Sequence, residues 1–191
     1  MSRPLPTPDL VARAVAGESQ ALDRLFDQCL PVVLSWCKRL GGPRVDPEDA
    51  THDVMVVVLD RIDGLQKPEA FGSWLFMTTR RVLSTHRKRA WVRRWLPGHD
   101  PDQHPARDAG LEDRDLARRL QAVLDELPLA QREVLILHDL DGHSDQAVAD
   151  LLGVPKGTVK SRLRLGRRKL RDLAEARGLW PPALQLVQEA Q

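Results

Sequence analysis

The chain has 191 residues, 42% of them hydrophobic, and this length and composition suit one or two globular domains. Its formal net charge of +2 conceals a strong segregation of basic and acidic residues, and local charge decides which partners a surface attracts. The longest aliphatic run, residues 54–59, is far shorter than the roughly 20 residues that span a bilayer, and the N-terminus has no apolar signal core. We therefore expect a cytoplasmic protein without membrane insertion.

Helical periodicity dominates the N-terminal half of the chain. Apolar residues recur three to four positions apart, as between Leu10 and Phe26, and no alternating strand pattern of useful length appears. This pattern predicts an all-α protein. About four helices are separated by breaks near Gly17, residues 41–43, residues 64–68 and residues 97–98.

The two cysteines, Cys29 and Cys37, lie eight residues apart in this helical half. Two residues cannot form a disulfide framework, and the six histidines are scattered without the spacing of metal ligands. We expect both cysteines to be buried apolar residues in a reducing compartment, and we expect no metal or other cofactor.

An acidic cluster opens the third predicted helix. Asp46, Glu48 and Asp49 precede a run of valines and a methionine, and negative charge is favoured in a first helical turn. Two interpretations remain open from the residues alone. Either Asp46 simply caps the helix, or some of its crowded apolar side chains, Val54, Met55, Val57 and Val58, are exposed for a partner.

The segment 71–99 contains many basic residues and no acidic residue. Trp74, Phe76, Trp91 and Trp95 interleave with the basic residues, and this combination suits single-stranded or distorted nucleic acid, which exposes both phosphates and bases. Phe71 and Leu75 are expected to be core residues instead. The arginines of this segment are harder to explain as core.

From Pro97 to about Asp113, prolines, glycines, histidines and aspartates replace the apolar pattern, which predicts a flexible linker. Helices resume from Leu116 to Leu127, and Pro128 marks the next break. The predicted organisation is two small helical domains, residues 1–96 and 116–178, joined by an acidic, proline-rich linker, residues 97–115, and followed by a short tail, residues 179–191. Packing of this tail on the domain is favoured over partner binding.

The stretch 127–171 reads as a helix-turn-helix whose second helix is strongly basic. Ser144 can cap a short helix, Gly153 can adopt a positive φ at the corner, and Pro155 suits the first turn of the second helix. The apolar residues of that helix would pack inward. The remaining residues are of the types that contact phosphates and base edges, namely Lys156, Thr158, Lys160, Ser161, Arg162 and Arg164.

No acidic residue occurs between Leu151 and Arg171. A solvated helical face normally mixes both signs, and here the basic run lies on the second element of a correctly spaced bihelical unit. We therefore expect this helix to bind duplex DNA.

Four segments, in the same order, resemble the sigma-70 family, specifically its small two-domain extracytoplasmic-function (ECF) sigma factors. They read DLVARAVAGESQALDRLFDQ, DPEDATHDVMVVVLDRI, FGSWLFMTTRRVLSTHRKRA, and LPLAQREVLILHDLDG with GVPKGTVKSRL. The resemblance implies a non-enzymatic subunit with sigma region 2 in residues 1–96 and sigma region 4 in residues 116–178. Such a subunit would bind core RNA polymerase at the largest-subunit clamp and the flap, recognise promoter DNA, and be held inactive by an anti-sigma factor.

The same resemblance assigns candidate contacts. Polymerase would be contacted by Asp49, His52, Asp53 and Met55. The minus-thirty-five element would be read by the helix beginning at Lys156, which adds Arg167 and Arg168 to the outward residues named above. The minus-ten element would be read and melted by Trp74, Arg80, Arg81, Ser84, Thr85, His86, Arg87, Lys88 and Arg89.

Several positions depart from the usual pattern of the family. His52 and Asp53 stand where Gln and Glu are common, while Arg81 and Thr85 stand where Asn and Asp are usual. Gly166 replaces a usual alanine, and because glycine costs a helix about 1 kcal/mol relative to alanine, we expect the second helix to fray or kink there. The promoter sequence therefore cannot be carried over from the family.

Two other function classes fit less well. A helix-turn-helix transcriptional regulator that does not initiate with polymerase would not need a second basic, aromatic segment. A DNA-processing enzyme needs converging carboxylates for a metal, or a serine or tyrosine nucleophile. The chain has no tyrosine, and its acidic cluster lies at a single helix start.

Overall fold

A computed structural model describes residues 5–93 and 111–179, with side chains described outside 91–93 and 111–115. Every regular element in these ranges is helical, which confirms the all-α prediction. The chain forms two compact units, one of Met1–His104 with the segment Asp150–Gly153 and one of Pro105–Ala149 with Val154–Gln191. None of the helices in the described ranges is long and apolar enough to cross a membrane.

Four α-helices build the first unit, as the sequence predicts. They are α1 (Pro8–Val15), α2 (Ser19–Leu40), α3 (Pro47–Arg61) and α4 (Phe71–Arg93). Two short 3-10 turns, Ile62–Gly64 and Pro68–Ala70, connect α3 to α4. The predicted break at residues 97–98 lies outside the described residues.

Side-chain caps begin two of these helices. Thr7 Oγ1 accepts a hydrogen bond from the Leu10 amide at 3.4 Å, which caps α1. Asp46 Oδ1 accepts from the amides of Glu48 and Asp49 at 2.8 and 3.0 Å, which caps α3. Asp46 is therefore a helix cap, as one of the two interpretations from the sequence proposed.

The core of the first unit is centred on an aromatic pair. Trp36 of α2 meets Phe76 of α4 edge to face, with ring centroids 4.9 Å apart. Phe71 and Leu75 are buried beside them, as predicted. Phe76 is equally buried, so it belongs to this core and not to the basic, aromatic surface in which the sequence placed it.

Cys29 and Cys37 are buried in the same core and form no disulfide. Burial raises the pKa of the Cys29 thiol to about 12 and that of the Cys37 thiol to about 11. Both side chains are therefore neutral at physiological pH and pack as apolar groups, as predicted.

Four further α-helices and one π-helical turn follow within residues 111–179, all in the second unit apart from residues 150–152, which end one of these helices. They are α5 (Leu111–Asp125), α6 (Leu129–Leu135), the π turn (Ile136–Leu140), α7 (Asp145–Leu152) and α8 (Lys156–Ala176). Leu179 follows α8 and packs against Val123 and Ala174. The rest of the predicted tail, from residue 180, lies outside the described residues.

The start of α5 corrects the predicted end of the linker. Leu111 begins the helix, whereas the sequence placed the resumption at Leu116. Proline and glycine are absent between Gly110 and Pro128, and acidic residue types are favoured in a first turn, so residues 111–115 suit a helix despite their polarity. Residues 94–110 of the predicted linker lie outside the described residues.

The predicted helix-turn-helix is formed by α7 and α8. Ser144 Oγ accepts from the Ala147 amide at 3.2 Å, and Gly153 has a φ of +63°, both as predicted. Pro155 differs from the prediction because it is the residue before α8, with an extended ψ of 144°, and not part of the first turn. Its carbonyl accepts from the Thr158 amide at 2.8 Å and so starts the helix.

Gly166 does not interrupt α8, which corrects the predicted fraying. The residue is buried against α6, and a Cβ there would lie 3.1 Å from Leu135 Cδ1 and 3.3 Å from Gln131 Cβ. The lack of a side chain lets the backbones of α6 and α8 approach closely. This contact explains the glycine where helix propensity alone does not.

We expect Gly166→Val to lower the free energy of unfolding of the full chain by about 1–3 kcal/mol, because two more carbons beyond Cβ overpack the contact with α6. Gly166→Ala should be close to neutral, since a propensity gain of about 1 kcal/mol is offset by the tight approach to the movable end of Leu135. Urea unfolding followed by circular dichroism measures both variants. Gly157→Val is the control, since a Cβ at Gly157 meets nothing within 4 Å. Equal stability of the two valine variants would contradict the close contact.

Candidate functional site

The inward packing of α8 determines which of its side chains face solvent. Val159, Leu163 and Gly166 are buried, so the opposite side of the helix is exposed. Among the predicted DNA contacts, Thr158 and Arg162 are partly buried. The exposed ones are Lys156, Lys160, Ser161, Arg164 and Arg168.

Four cations lie along one side of α8 and form what we term the α8 basic face: Lys160, Arg164, Arg168 and Arg171. With Leu163 and Arg167, they line a groove of about 650 Å³ that His138 and Asp145 border. Their spacing of four, four and three residues keeps them in line along the helix. The sequence prediction omitted Arg171, although the same spacing would have included it.

Arg167 lies on α8 but is engaged within its own unit. Its Nε donates to Asp139 Oδ2 at 3.0 Å and its Nη2 to Asp139 Oδ1 at 2.6 Å. These hydrogen bonds, together with the carboxylate charge, raise the pKa of the Arg167 guanidinium despite its partial burial. The structure thus places Arg167 in a two-point ion pair, whereas the sequence predicted a DNA contact.

Four exposed residues from the part of α4 that begins at Arg81 also lie on one side, which we term the α4 basic face: Arg81, Thr85, Lys88 and Arg89. Ser84 is partly buried beside this face. Arg80 is partly buried too, and its Nη1 lies 3.3 Å from Met77 Sδ. Trp74 packs against Phe71 with ring centroids 5.8 Å apart, which leaves it partly exposed. The side chains of Trp91 and Arg93, together with Arg94 and Trp95, are outside the described part of the chain.

His86 and Arg87 of α4 point the other way, into the first unit. His86 Nε2 lies 2.9 Å from Asp53 Oδ2 on α3. Arg87 Nη1 donates at 3.0 Å to the carbonyl of Leu40, the last residue of α2, where the helix dipole favours a cation. Both residues were predicted to contact the minus-ten element, and the structure uses them to hold α4 on α2 and α3.

Helix α3 presents a mixed polar and apolar surface, which we term the α3 outer face: Asp49, His52, Val56 and Leu59. The Val56 and Leu59 side chains are 42% and 53% exposed. Neither was predicted, although their spacing from His52, four and seven residues, puts all three on one side of a helix.

Met55, predicted as a polymerase contact, is a core residue with only 6% exposure. Met55 lies between buried Val54 and exposed Val56, and its position around the helix axis directs its side chain into the core. This placement corrects the expectation for Met55. Of the apolar residues considered for exposure from the sequence, Val54, Met55 and Val58 are buried and Val57 is partly buried, so α3 exposes apolar side chains at other positions.

Within the described ranges, no cluster of three or more His, Cys, Asp and Glu side chains is arranged to hold a metal ion.

Both units match family models. The first unit matches sigma-70 region 2 over residues 25–93, and the second matches sigma-70 region 4 over residues 117–170. The two basic helices, α4 and α8, lie largely within these matched ranges.

Two relatives and one solved structure extend the match to most of the chain. The chain is 36% identical to the ECF RNA polymerase sigma factor SigE of Mycolicibacterium smegmatis, over 78% of this chain and 60% of SigE. It is 32% identical to the ECF RNA polymerase sigma factor EcfG of Rhodopseudomonas palustris, over 79% of this chain and 85% of EcfG. The structure of CnrH in complex with the cytosolic domain of CnrY superposes with a TM-score of 0.66 at 25% identity, over 88% of this chain and 97% of CnrH.

Region 2 and region 4 therefore occur in the expected order, and each contains an exposed basic helix. The match to EcfG extends across both regions and most of its length. Because the sequence, the two units and the relatives agree, the chain belongs to the ECF group of the sigma-70 family of RNA polymerase sigma factors.

Proposed function

We propose that this sigma factor places core RNA polymerase on promoters by binding the minus-thirty-five element with α8 and the minus-ten element with α4. One observation carries the proposal: each unit exposes, on one helix, a basic face that contains no acidic residue. The helix is α4 in region 2 and α8 in region 4. Its role is binding and positioning, while the catalysis of RNA synthesis belongs to core polymerase. We place this activity in the cytoplasm.

The contacts of α8 divide along its length. The first residues of a helix-turn-helix recognition helix reach base edges in the major groove, which suits Lys156, Thr158, Lys160 and Ser161. Farther along the helix, the exposed side chains of Arg164 and Arg168 continue the α8 basic face, and we assign them to contacts with the DNA phosphates. Arg162 is partly buried and contributes at the edge of this surface.

For the minus-ten element, the α4 basic face supplies the charged surface. Cationic side chains attract the backbone of a melted strand, and the partly exposed ring of Trp74 offers a surface on which a base can stack. Arg80 and Ser84 border this surface. His86 and Arg87 support it indirectly, because their contacts with Asp53 and Leu40 hold α4 in place.

The α3 outer face is proposed as the polymerase-docking surface, on the largest-subunit clamp by the family resemblance, with region 4 on the flap. Exposed apolar side chains among polar ones are typical of protein interfaces. Asp53 contributes beside this face while paired with His86. We also propose that an anti-sigma factor covers these surfaces, as the family resemblance implies, and a protein of the same fold, CnrH, is found in complex with the cytosolic domain of CnrY.

Run-off transcription tests the proposed function as a whole. Purified core polymerase is incubated with a library of promoter fragments from the source genome, with and without the full chain. We expect new start sites only when the chain is present, and alignment of those sites gives both promoter elements. Binding to DNA or to core polymerase without any initiation would instead indicate a helix-turn-helix regulator that does not initiate.

The salt dependence of DNA binding tests the α8 basic face. Lys160→Ala and Arg164→Ala should each weaken binding to a duplex and reduce the slope of log Kobs against log salt by about 0.9, because each removes one contact that releases a counterion. Fluorescence anisotropy with a labelled duplex at several salt concentrations measures both quantities. Arg118→Ala, which removes an exposed arginine of α5 in the same unit, should leave the slope unchanged. Unaltered slopes in both test variants would exclude these two cations as contacts that release a counterion from DNA.

Polymerase docking is tested by placing a charge in the α3 outer face. Val56→Glu should lower the affinity for core polymerase roughly tenfold or more, because the carboxylate is desolvated at an apolar contact. Leu30→Glu is the matched control, since Leu30 is 50% exposed on α2 of the same unit. Surface plasmon resonance on immobilised core polymerase measures the affinities. If both variants lose the same affinity, α3 is not the docking surface.

A further inference from the structure

The π turn, Ile136–Leu140, carries the carboxylate that holds the recognition helix. We propose that Asp139 is a positioning residue, whose pair with Arg167 sets the placement of α8 and thereby the promoter preference of Lys156 and Lys160 at its start. This inference rests on the proposed function, since it assumes that α8 reads the minus-thirty-five element. It assigns Arg167 to the support of the helix and not to direct contact with DNA.

The geometry of the pair is that of a two-point clamp. Arg167 uses Nε and Nη2 on the two oxygens of one carboxylate, at 3.0 and 2.6 Å. The Asp139 side chain is 10% exposed and that of Arg167 is 34% exposed, so water competes little for the carboxylate. Two parallel hydrogen bonds restrict both the distance and the rotation of the guanidinium, which a single ion pair does not.

The π turn brings Asp139 to this position. The amide of Asp141 bonds to the carbonyl of Ile136 at 2.8 Å, and that of His143 bonds to the carbonyl of Leu137 at 3.0 Å. The bond from Asp141 to Ile136 spans five residues and not the four of an α-helix, so the turn that carries Asp139 at the end of α6 is wider than a regular helical turn.

A third contact joins α7 to the same carboxylate. His138 Nδ1 lies 2.7 Å from Asp139 Oδ1, and its Nε2 lies 3.4 Å from a carboxylate oxygen of Asp145, the first residue of α7. The π turn, α7 and α8 therefore meet at one group. Both helices of the helix-turn-helix are linked to it, so a change at Asp139 affects their mutual placement.

The neighbours of Arg167 show why its role differs from theirs. Gly166 packs on Leu135 of α6, and Arg167 follows it onto the inner edge of α8. Arg164 and Arg168 lie on the α8 basic face and are exposed. The clamp and the close approach at Gly166 thus hold the middle of α8, while the preceding part of the helix carries the residues proposed to read bases.

Asp139→Asn distinguishes positioning from contact, because the two roles predict opposite results. The substitution removes a negative charge near the DNA surface and releases Arg167 from its ion pair. Electrostatics alone therefore predicts equal or tighter DNA binding. A positioning role predicts instead that binding to the intact promoter weakens, while binding to unrelated sequence is kept or strengthened.

The experiment uses the holoenzyme, reconstituted from core polymerase and the full chain, with two duplexes. One is a promoter recovered by run-off transcription, and the other is the same duplex with its minus-thirty-five segment scrambled. We expect Asp139→Asn and Arg167→Lys each to reduce the affinity ratio of the two duplexes about tenfold, as the loss of one base contact would. Arg167→Lys keeps the charge but not the two-point pair, and the double variant should lose no more than either single one.

Glu126→Gln is the matched control, because it breaks another arginine–carboxylate pair of the same unit, that with Arg177. It should leave the affinity ratio unchanged, and circular dichroism checks that all variants are folded. Unaltered preference in Asp139→Asn, or an Arg167→Ala variant whose salt slope falls by about 0.9, would overturn the inference. A wild-type holoenzyme that does not prefer the intact promoter would overturn the proposed function as well.

Discussion

The burial of one apolar stripe along α8 decides where every cation of that helix points. Val159, Leu163 and Gly166 fit against the second unit in only one rotation, because Gly166 must approach Leu135 without a side chain between them. Once this rotation is set, the α8 basic face is directed to solvent. The electrostatic surface is thus a consequence of close packing on the opposite side of the same helix.

Both basic helices divide their basic side chains between two tasks. Arg167 on α8, and His86 and Arg87 on α4, make contacts inside their own units, whereas the two basic faces remain exposed. A count of basic residues in the sequence therefore overstates the size of the proposed nucleic-acid surface. The basic side chains that make internal contacts still matter to the proposed DNA binding, since a recognition helix is useful only if its position is well defined.

The sequence predicted the features that depend on local rules. Helix breaks, the Ser144 cap and the turn at Gly153 follow from neighbouring residues, and the family motifs gave the identity of both units. Contacts between residues far apart in the chain were not predicted. His86 pairs with Asp53 across 33 residues, Arg87 bonds to Leu40 across 47, and Gly166 is explained by α6 and not by helix propensity. The prediction that Met55 contacts polymerase was wrong for a related reason. Adjacent residues of a helix face different directions, and on α3 Met55 faces the core while Val56 faces solvent.

The two buried cysteines make local opening of the first unit's core measurable, because their thiols become reactive only when the core opens. With thiol pKa values of about 12 and about 11, only about one Cys29 in 10⁵ and one Cys37 in 10⁴ carries the reactive thiolate at pH 7. A thiol reagent therefore reacts at an appreciable rate only in molecules whose core has transiently opened. The labelling rate measures how often the core opens, so local opening of region 2 can be followed through its native cysteines, without an engineered reporter residue.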